Sequence, residues 1–222
     1  MKKALQVPYR RLITALILFW GPVILFVRLA GEVKEHEPIG VDAKILEWVH
    51  SFSTTFMDRF AMSITNAGSA EVVVVLTLVL VGYLAFKKRR RNAALILFGV
   101  GGAAAANIIL KMLFQRERPE LWPHLVTENG YSFPSGHAMA SSALAFSIVF
   151  ILWHTKWRWL AVPLAALYIL AIGFSRLYLG VHYPSDIVAG WCVSFAWVLI
   201  VYMNLHWALP KRHQGKTVAT EE

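Results

Sequence analysis

Residues 67–114 read AGSAEVVVVLTLVLVGYLAFKKRRRNAALILFGVGGAAAANIILKMLF, and this stretch decides the fold class. It contains two apolar runs, 67–86 and 93–114, with the basic residues 87–91 between them. Each run has about the 20 residues that an α-helix needs to cross a bilayer. Backbone polar groups in lipid must be paired within their own segment, so such runs are helical. The stretch therefore predicts two membrane-spanning helices joined by a short basic turn.

The rest of the chain repeats this apolar pattern. Of its 222 residues, 57% are hydrophobic and 16% are charged, an apolar content well above that of an ordinary soluble domain. We predict an all-α fold, a bundle of six transmembrane helices at 12–29, 67–86, 93–114, 137–153, 159–177 and 187–209. Residues 1–222 then form a single integral membrane domain, with 211–222 as a cytoplasmic tail.

The first apolar run has a second interpretation, a signal peptide, because basic residues precede it. The small-residue site that follows it contains Arg28 where a small residue is required, so we expect the run to be retained as a helix.

The positions of Lys and Arg predict the orientation of the bundle in the cell (inner) membrane. Most of the 22 basic residues lie near the termini, at 87–91 and at 156–158, which the positive-inside rule places in the cytoplasm. Nearly all of the 13 acidic residues lie on the opposite, extracytoplasmic side. No segment outside the spans interleaves basic and aromatic residues, so the net charge of +9 indicates anionic lipid headgroups and topology and not nucleic acid.

The segment between the first and second spans is too polar to cross the membrane. Asp42 can cap a helix in which Ile45, Trp48 or Val49, Phe52 and Phe56 recur at helical spacing. We predict a short amphipathic helix that lies in the outer membrane interface. An ordinary packing stripe against the bundle explains the same pattern equally well.

Three polar clusters lie at edges of the predicted spans, all on the predicted outer side. They read KMLFQRERP at 111–119, PSGH at 134–137 and SRLYLGVHYPSD at 175–186. Each has an ordinary explanation alone, because cations anchor span ends, Ser135 can cap a helix and Asp186 suits a first helical turn. Together they bring cations, histidines, a carboxylate and a helix N-terminus to one layer, the combination that phosphoryl transfer requires.

The cations Lys111, Arg118 and Arg176 are candidates for neutralising phosphoryl oxygens, and the helix that begins near Ser135 offers backbone N–H groups to an anion. Cys192 lies in an apolar run without the arginine of a cysteine phosphatase loop, which favours a packing role.

His182 and Asp186 are four residues apart, so the carboxylate can hold one imidazole nitrogen and leave the other free to attack phosphorus. His137 is then the candidate general acid, although spacing alone does not decide which histidine is the nucleophile. A metal site of both histidines and Asp186 is disfavoured because the neighbouring cations repel a divalent ion. We therefore predict neither a metal nor another cofactor.

The three clusters resemble the signature of the type 2 phosphatidic acid phosphatase superfamily, the lipid phosphate phosphatases. Its pattern is Lys-x6-Arg-Pro, Pro-Ser-Gly-His and Ser-Arg-x5-His-x3-Asp, and all three parts stand complete at 111–119, 134–137 and 175–186. The resemblance implies a phosphohistidine intermediate on His182, oriented by Asp186, with His137 as general acid and then base. It implies phosphate binding by the remaining signature residues, namely Lys111, Arg118, Ser135, Gly136 and Arg176.

The resemblance does not fix the substrate. The short bacterial members to which the chain is similar act on phosphatidylglycerophosphate, phosphatidate, diacylglycerol pyrophosphate or undecaprenyl pyrophosphate. A site at the bilayer surface favours such a lipid. The loop 117–132, with Trp122, His124 and Glu128, would cover the site and influence headgroup size, and a simple connector is the alternative interpretation of the same loop.

Two other functions use the same cations. A lipid carrier that only binds anionic headgroups needs the cations but not the histidines and the aspartate. A haloperoxidase that uses bound vanadate shares the signature, but the membrane spans disfavour it. The oligomeric state is open at this stage.

Overall fold

A computed structural model describes residues 9–35 and 40–207 of the chain. The described residues form eight α-helices and no strand, which confirms the predicted all-α class. In chain order the helices are α1 (Tyr9–Lys34), α2 (Gly40–His50), α3 (Thr55–Asn66), α4 (Ala70–Phe86), α5 (Arg90–Phe114), α6 (Gly136–Leu152), α7 (Arg158–Tyr178) and α8 (Pro184–Trp207).

Four of the described helices are long and apolar enough to cross a membrane, in α1, α5, α7 and α8. Helices α3 and α4 meet the same criteria only as a pair, which is bent by 42°. Helix α6 is apolar but has only 17 residues, a length of about 25 Å. The chain is a multi-pass membrane protein with four or five spans by these criteria. A count of six, which requires α4 and α6 to cross, stays a prediction.

Helix α6 lies at the centre of the bundle and packs on α5, α7 and α8. Its Met139 and Leu144 join Leu95 and Ile96 of α5 and Val198 of α8 in the largest apolar core. The outward faces of the surrounding helices are apolar as well, because large side chains such as those of Ile108, Ile109 and Leu167 are mostly exposed. Such a surface is suited to contact with lipid and not with water.

The segment between α1 and α4 differs from the single amphipathic helix of the prediction. Asp42 lies within the first turn of α2 and its side chain is buried, so it does not act as the predicted cap of its own helix. Helix α2 ends at His50, and a new helix begins after Thr54. The Thr54 side chain caps this new helix by accepting a hydrogen bond from the Met57 N–H. Phe52 therefore lies between the two helices.

The predicted apolar stripe, which extends from α2 into α3, divides between two environments. Val49 is buried in a cluster with Tyr178 and Leu179, as the packing interpretation predicts. Leu46, which is not part of the predicted stripe, is buried as well. The aromatic rings of Trp48, Phe52 and Phe56 are exposed. Contact of these rings with the membrane interface stays a prediction.

Candidate active site

The structure brings the three polar clusters together at one end of the bundle. Helix α5 ends at Phe114, because Gln115 adopts a left-handed conformation with φ of 46° and directs the chain away from the helix axis. The backbone N–H of Ser132 then donates to the Arg116 carbonyl at 2.8 Å, which closes the loop 117–132 at its base. The Ser135 N–H donates to the Asp186 carbonyl at 3.1 Å and joins the start of α6 to the start of α8.

His182 lies in the short connection between α7 and α8, where Gly180 has a φ of +72° that only glycine adopts readily. Its Nδ1 lies 3.3 Å from Oδ2 of Asp186, and the same oxygen accepts from the Tyr183 N–H at 2.9 Å. Its Nε2 lies 3.3 Å from an Arg118 guanidinium nitrogen. Because a guanidinium only donates, Nε2 must be the acceptor and Nδ1 must carry the proton.

Each of the two signature arginines is held by its own hydrogen bond. Arg118 donates to the Val181 carbonyl at 2.8 Å, and Arg176, which is only 1% exposed, donates to the Thr65 hydroxyl at 2.9 Å. Between them lies the carboxylate of Glu128, which accepts from Arg176 and lies 3.7 Å from Arg118. Glu128 thus provides a negative charge at the place where the two guanidinium groups converge.

Lys111 and Ser135 are positioned by local structure. Lys111 lies in the last turn of α5, and its Nζ donates to the Tyr131 carbonyl at 2.7 Å. Ser135 caps α6, because its hydroxyl accepts from the Ala138 N–H at 3.4 Å, as the sequence predicts. The N-terminus of α6 therefore begins inside the cluster.

His137 follows in the first turn of α6 and is half-buried. It is close enough to Arg176, Glu128 and Lys111 for their charges to act on it. Gly136 lies against Asn107, since an added Cβ would approach the amide oxygen to 3.2 Å. A side chain at this position would press on the amide that donates to the Pro134 carbonyl at 3.0 Å.

Burial and charge together keep His182 neutral. Burial lowers its pKa well below the usual value, and the positive charges of Arg176, Arg118 and Lys111 lower it further. Burial opposes ionisation of Glu128, but the neighbouring Arg176 and Arg118 outweigh it and lower the pKa of this carboxyl. The site thus contains a neutral imidazole, with its one proton on Nδ1, and an ionised carboxylate among fixed cations.

All eight residues that the sequence identifies occur in or beside this cluster, but two partners were missed. Arg116 lies between Asp42 and Asp186, with nitrogen-to-oxygen distances of 3.0 Å and 2.6 Å. In the sequence, Arg116 is one of the six unspecified positions of the Lys-x6-Arg pattern, and Asp42 is a candidate helix cap. Nothing in the sequence connects two residues that are 74 positions apart.

The loop residues that the sequence identified have different roles. Glu128 contacts the arginines of the cluster. Trp122 packs instead against Gly180 and stacks on His50 with ring centroids 4.0 Å apart. The Nε2–H of His124 donates to the Pro119 carbonyl at 2.7 Å within the loop. In the described residues no group of three or more His, Cys, Asp or Glu side chains has the arrangement of a metal site.

The fold and the cluster together define a helical, multi-pass membrane protein with a cation-lined site around a neutral histidine. Residues 92–210 match the family model of the PAP2 superfamily, and the chain belongs to this superfamily. It is accordingly a phosphatase, an enzyme of the phosphoric ester hydrolase class.

Named relatives agree with this assignment, and a solved structure has the same fold. Phosphatidylglycerophosphatase B of Bacillus subtilis is 25% identical over 184 residues, which are 80% of this chain and 90% of the relative. Undecaprenyl-diphosphatase of Sulfolobus acidocaldarius is 25% identical over 195 residues, 84% of this chain and 90% of the relative. The crystal structure of a transmembrane PAP2 type phosphatidylglycerolphosphate phosphatase from Bacillus subtilis has the same fold, with a TM-score of 0.74 and 23% identity over 86% of this chain and 98% of that one.

Proposed function

We propose that this chain removes a phosphate from a lipid headgroup, through a phosphohistidine on His182 and without a metal. The substrate class comprises lipid phosphate monoesters and pyrophosphates, such as phosphatidylglycerophosphate, phosphatidate, diacylglycerol pyrophosphate and undecaprenyl pyrophosphate. The names of the relatives, which include a phosphatidylglycerophosphatase and an undecaprenyl-diphosphatase, support this class.

The environment of His182 is the observation that carries the proposal. Its proton lies on Nδ1, facing Asp186, while the Nε2 lone pair faces Arg118 in the cation cluster. A substrate phosphate that accepts the hydrogen bond from Arg118 frees the Nε2 lone pair. The phosphorus atom of this substrate then lies next to the lone pair. A site that only binds headgroups has no need for a buried, neutral imidazole with a carboxylate behind it.

In the first step, Nε2 of His182 forms a bond to phosphorus while the bond from phosphorus to the headgroup oxygen breaks. His137 donates a proton to that leaving oxygen. Lys111, Arg118 and Arg176 neutralise the charge on the equatorial oxygens, and the N-terminus of α6 at Ser135 and Gly136 adds backbone donors. Asp186 stabilises the positive charge that develops on the imidazole.

In the second step, water attacks the phosphohistidine. His137, which lost its proton in the first step, takes one from the water, whose oxygen bonds to phosphorus while the phosphorus–nitrogen bond breaks. Inorganic phosphate leaves, and His182 returns to its neutral form. With a pyrophosphate substrate, the leaving group of the first step is a lipid monophosphate.

The bilayer arrangement forms part of the same proposal. We place α1, α4, α5, α6, α7 and α8 across the cell membrane with both termini in the cytoplasm, as the distribution of basic residues favours. The site then lies at the extracytoplasmic surface, where a substrate keeps its tail in lipid and its phosphate in water.

Phosphate release by the detergent-purified protein in the presence of a chelator tests the proposal. Wild type should hydrolyse at least one lipid of the four named above, and His182→Ala should lose this activity by at least about a thousandfold, since no group replaces the nucleophile. His154→Ala, at an exposed position past the end of α6 that is opposite to His137, is the matched control and should remain active. Full activity in His182→Ala would exclude the mechanism.

His137→Ala separates the two steps. With an aryl phosphate, whose leaving group needs no protonation, this variant should still form the phosphoenzyme but should hydrolyse it slowly. Mass spectrometry of acid-sensitive phosphohistidine should then detect the phosphoryl group on His182. Absence of a trapped intermediate, together with unchanged turnover of the aryl phosphate, would remove His137 from the mechanism.

A further inference from the structure

Arg116 connects the catalytic carboxylate to a helix outside the signature motifs. One guanidinium nitrogen donates to Oδ1 of Asp186 at 2.6 Å, and the other donates to Oδ2 of Asp42 in α2 at 3.0 Å. The Tyr183 ring lies against the guanidinium group, and the distance from the guanidinium carbon to the ring centroid is 3.9 Å. Arg116 is therefore fixed on two edges and one face, and its side chain is only 14% exposed.

Asp42 is in turn fixed by the start of α8. Its Oδ1 accepts from the Ser185 N–H at 3.0 Å, and its Oδ2 also accepts from the Ser185 hydroxyl. Ser185 lies in the first turn of α8, where backbone N–H groups lack partners within their own helix. Asp42 thus caps α8 from a separate helix and holds Arg116 at the same time.

The two carboxylate oxygens of Asp186 therefore have different partners. Oδ1 accepts from Arg116, while Oδ2 faces the His182 Nδ1 and accepts from the Tyr183 N–H. Asp186 is fully buried, and a buried carboxylate needs a charged partner to remain ionised. Arg116 is the cation that contacts this carboxylate directly, whereas Arg118 contacts the far side of His182.

We propose that Arg116, held in place by Asp42, is a positioning residue that keeps Asp186 ionised and directed at His182 Nδ1. The proposal rests on the proposed function, because it gives these two residues a role in forming the phosphohistidine. Arg116 itself does not contact the phosphate. Its loss should slow the attack by His182 and leave phosphate binding by Lys111, Arg118 and Arg176 nearly unchanged.

A purely structural role for the same contacts makes a different prediction. If Arg116 and Asp42 only join α2 to α8, their loss lowers the fraction of folded, active enzyme, which leaves the inhibition constants of the surviving molecules unchanged. Vanadate and inorganic phosphate separate the two roles. Vanadate imitates the five-coordinate transition state and bonds to the attacking imidazole nitrogen, whereas inorganic phosphate uses only the cations.

The experiment compares Arg116→Gln, Arg116→Lys and Asp42→Asn with wild type, using an aryl phosphate as the substrate. Arg59→Gln is the control, because it removes one positive charge from an exposed position on α3. Arg116→Gln should lower kcat about 10- to 100-fold and raise the inhibition constant of vanadate at least about tenfold. KM and the inhibition constant of inorganic phosphate should stay within about threefold of wild type.

The remaining variants test the chain of contacts. Arg116→Lys restores the charge and should recover at least about a tenth of the wild-type kcat. Asp42→Asn should change kcat and vanadate inhibition in the same direction but less. The double variant with Arg116→Gln should have no lower kcat than Arg116→Gln alone, because Asp42 affects the carboxylate of Asp186 through Arg116.

Two negative outcomes remain distinct. A wild type and an Arg59→Gln variant that both release no phosphate would refute the proposed function, and the positioning role with it. An active wild type that depends on His182, together with an Arg116→Gln variant whose vanadate inhibition is unchanged, would refute the positioning role alone.

Discussion

Glu128 occupies the place between Arg118 and Arg176 that the proposed mechanism assigns to phosphate. Its carboxylate is ionised and must move away from the arginines when an anion binds. Glu128→Gln removes the negative charge but keeps the shape, so it should lower the inhibition constant of inorganic phosphate about three- to tenfold. Titration of activity with inorganic phosphate measures this effect.

The control for Glu128 is Glu120→Gln, an exposed position in the same loop. It changes the overall charge by the same amount without affecting the arginine pair, and should leave phosphate inhibition unchanged. If phosphate inhibition of Glu128→Gln is weaker than that of wild type, the carboxylate supports the arginines and does not compete with substrate.

His182 should remain an active nucleophile in moderately acidic solution. Burial and the surrounding cations lower its pKa well below the ordinary value of 6.5, and the neutral form attacks phosphorus. Activity is lost as the pH falls through the lowered pKa, so the decrease of kcat/KM that His182 causes should lie well below pH 6.5. The pH profile of kcat/KM measures its position.

The phosphate of the substrate also titrates near pH 6, so the pH profile requires two substrates whose phosphates titrate differently. The decrease that belongs to His182 keeps its position when the substrate changes. A substrate-independent decrease centred at pH 6.5 or above would show that the imidazole is not held neutral by its surroundings.

At the scale of the helices, Gly102 allows α5 and α8 to approach closely. A Cβ on Gly102 would lie 2.2 Å from the Trp197 ring, whose Nε1 donates to the Phe98 carbonyl at 2.9 Å. Gly102→Ala should displace this ring and destabilise the folded protein by about 1–3 kcal/mol. Unfolding in mixed detergent micelles measures the change.

The neighbouring Gly101 offers a matched control. No atom lies within 4 Å of a Cβ at this position, so Gly101→Ala should be neutral or slightly stabilising through helix propensity. Equal stability of both variants would indicate that Trp197 adapts without cost and that Gly102 is not required for the contact.

The helices differ in how far the sequence predicts them. Helices α1, α5, α7 and α8 follow from long apolar runs, because a single physical rule, the need to pair backbone groups in lipid, fixes them. The break between α2 and α3 was missed because the apolar spacing continues across it, while the local preference of Thr54 for a cap ends the pattern. The spacing of apolar residues alone does not reveal such a cap.

The site likewise contains some residues that the sequence predicts and others that it does not. The signature residues were identified because their spacing along the chain resembles a known pattern. The bridge of Arg116 to Asp42 and the bridge of Glu128 to Arg176 join segments far apart in sequence, and only the packing of α2, the loop and α7 brings them together. Such contacts follow from the fold and have no local signature.

At the scale of the whole molecule, α6 must cross the membrane if the site is to lie on the extracytoplasmic side and the basic turns on the cytoplasmic side. It has 17 residues, and its two ends carry the PSGH cluster and the loop at 153–157. A crossing by about 25 Å of helix is short for a bilayer core of about 30 Å. Because α6 packs at the centre of the bundle, its neighbours can shield its ends from lipid.

Cysteine labelling from one side of the membrane tests this arrangement. Cys192 is the single cysteine of the chain and is buried, so Cys192→Ser provides a background for single substitutions Glu120→Cys, Lys88→Cys and His154→Cys at exposed positions. In right-side-out vesicles, an impermeant maleimide should label position 120 directly. Positions 88 and 154 should react only after permeabilisation, because the positive-inside rule places their turns in the cytoplasm. Direct labelling of both position 120 and position 154 would show that α6 does not cross the membrane. Direct labelling of position 88 without position 120 would show that the bundle has the opposite orientation.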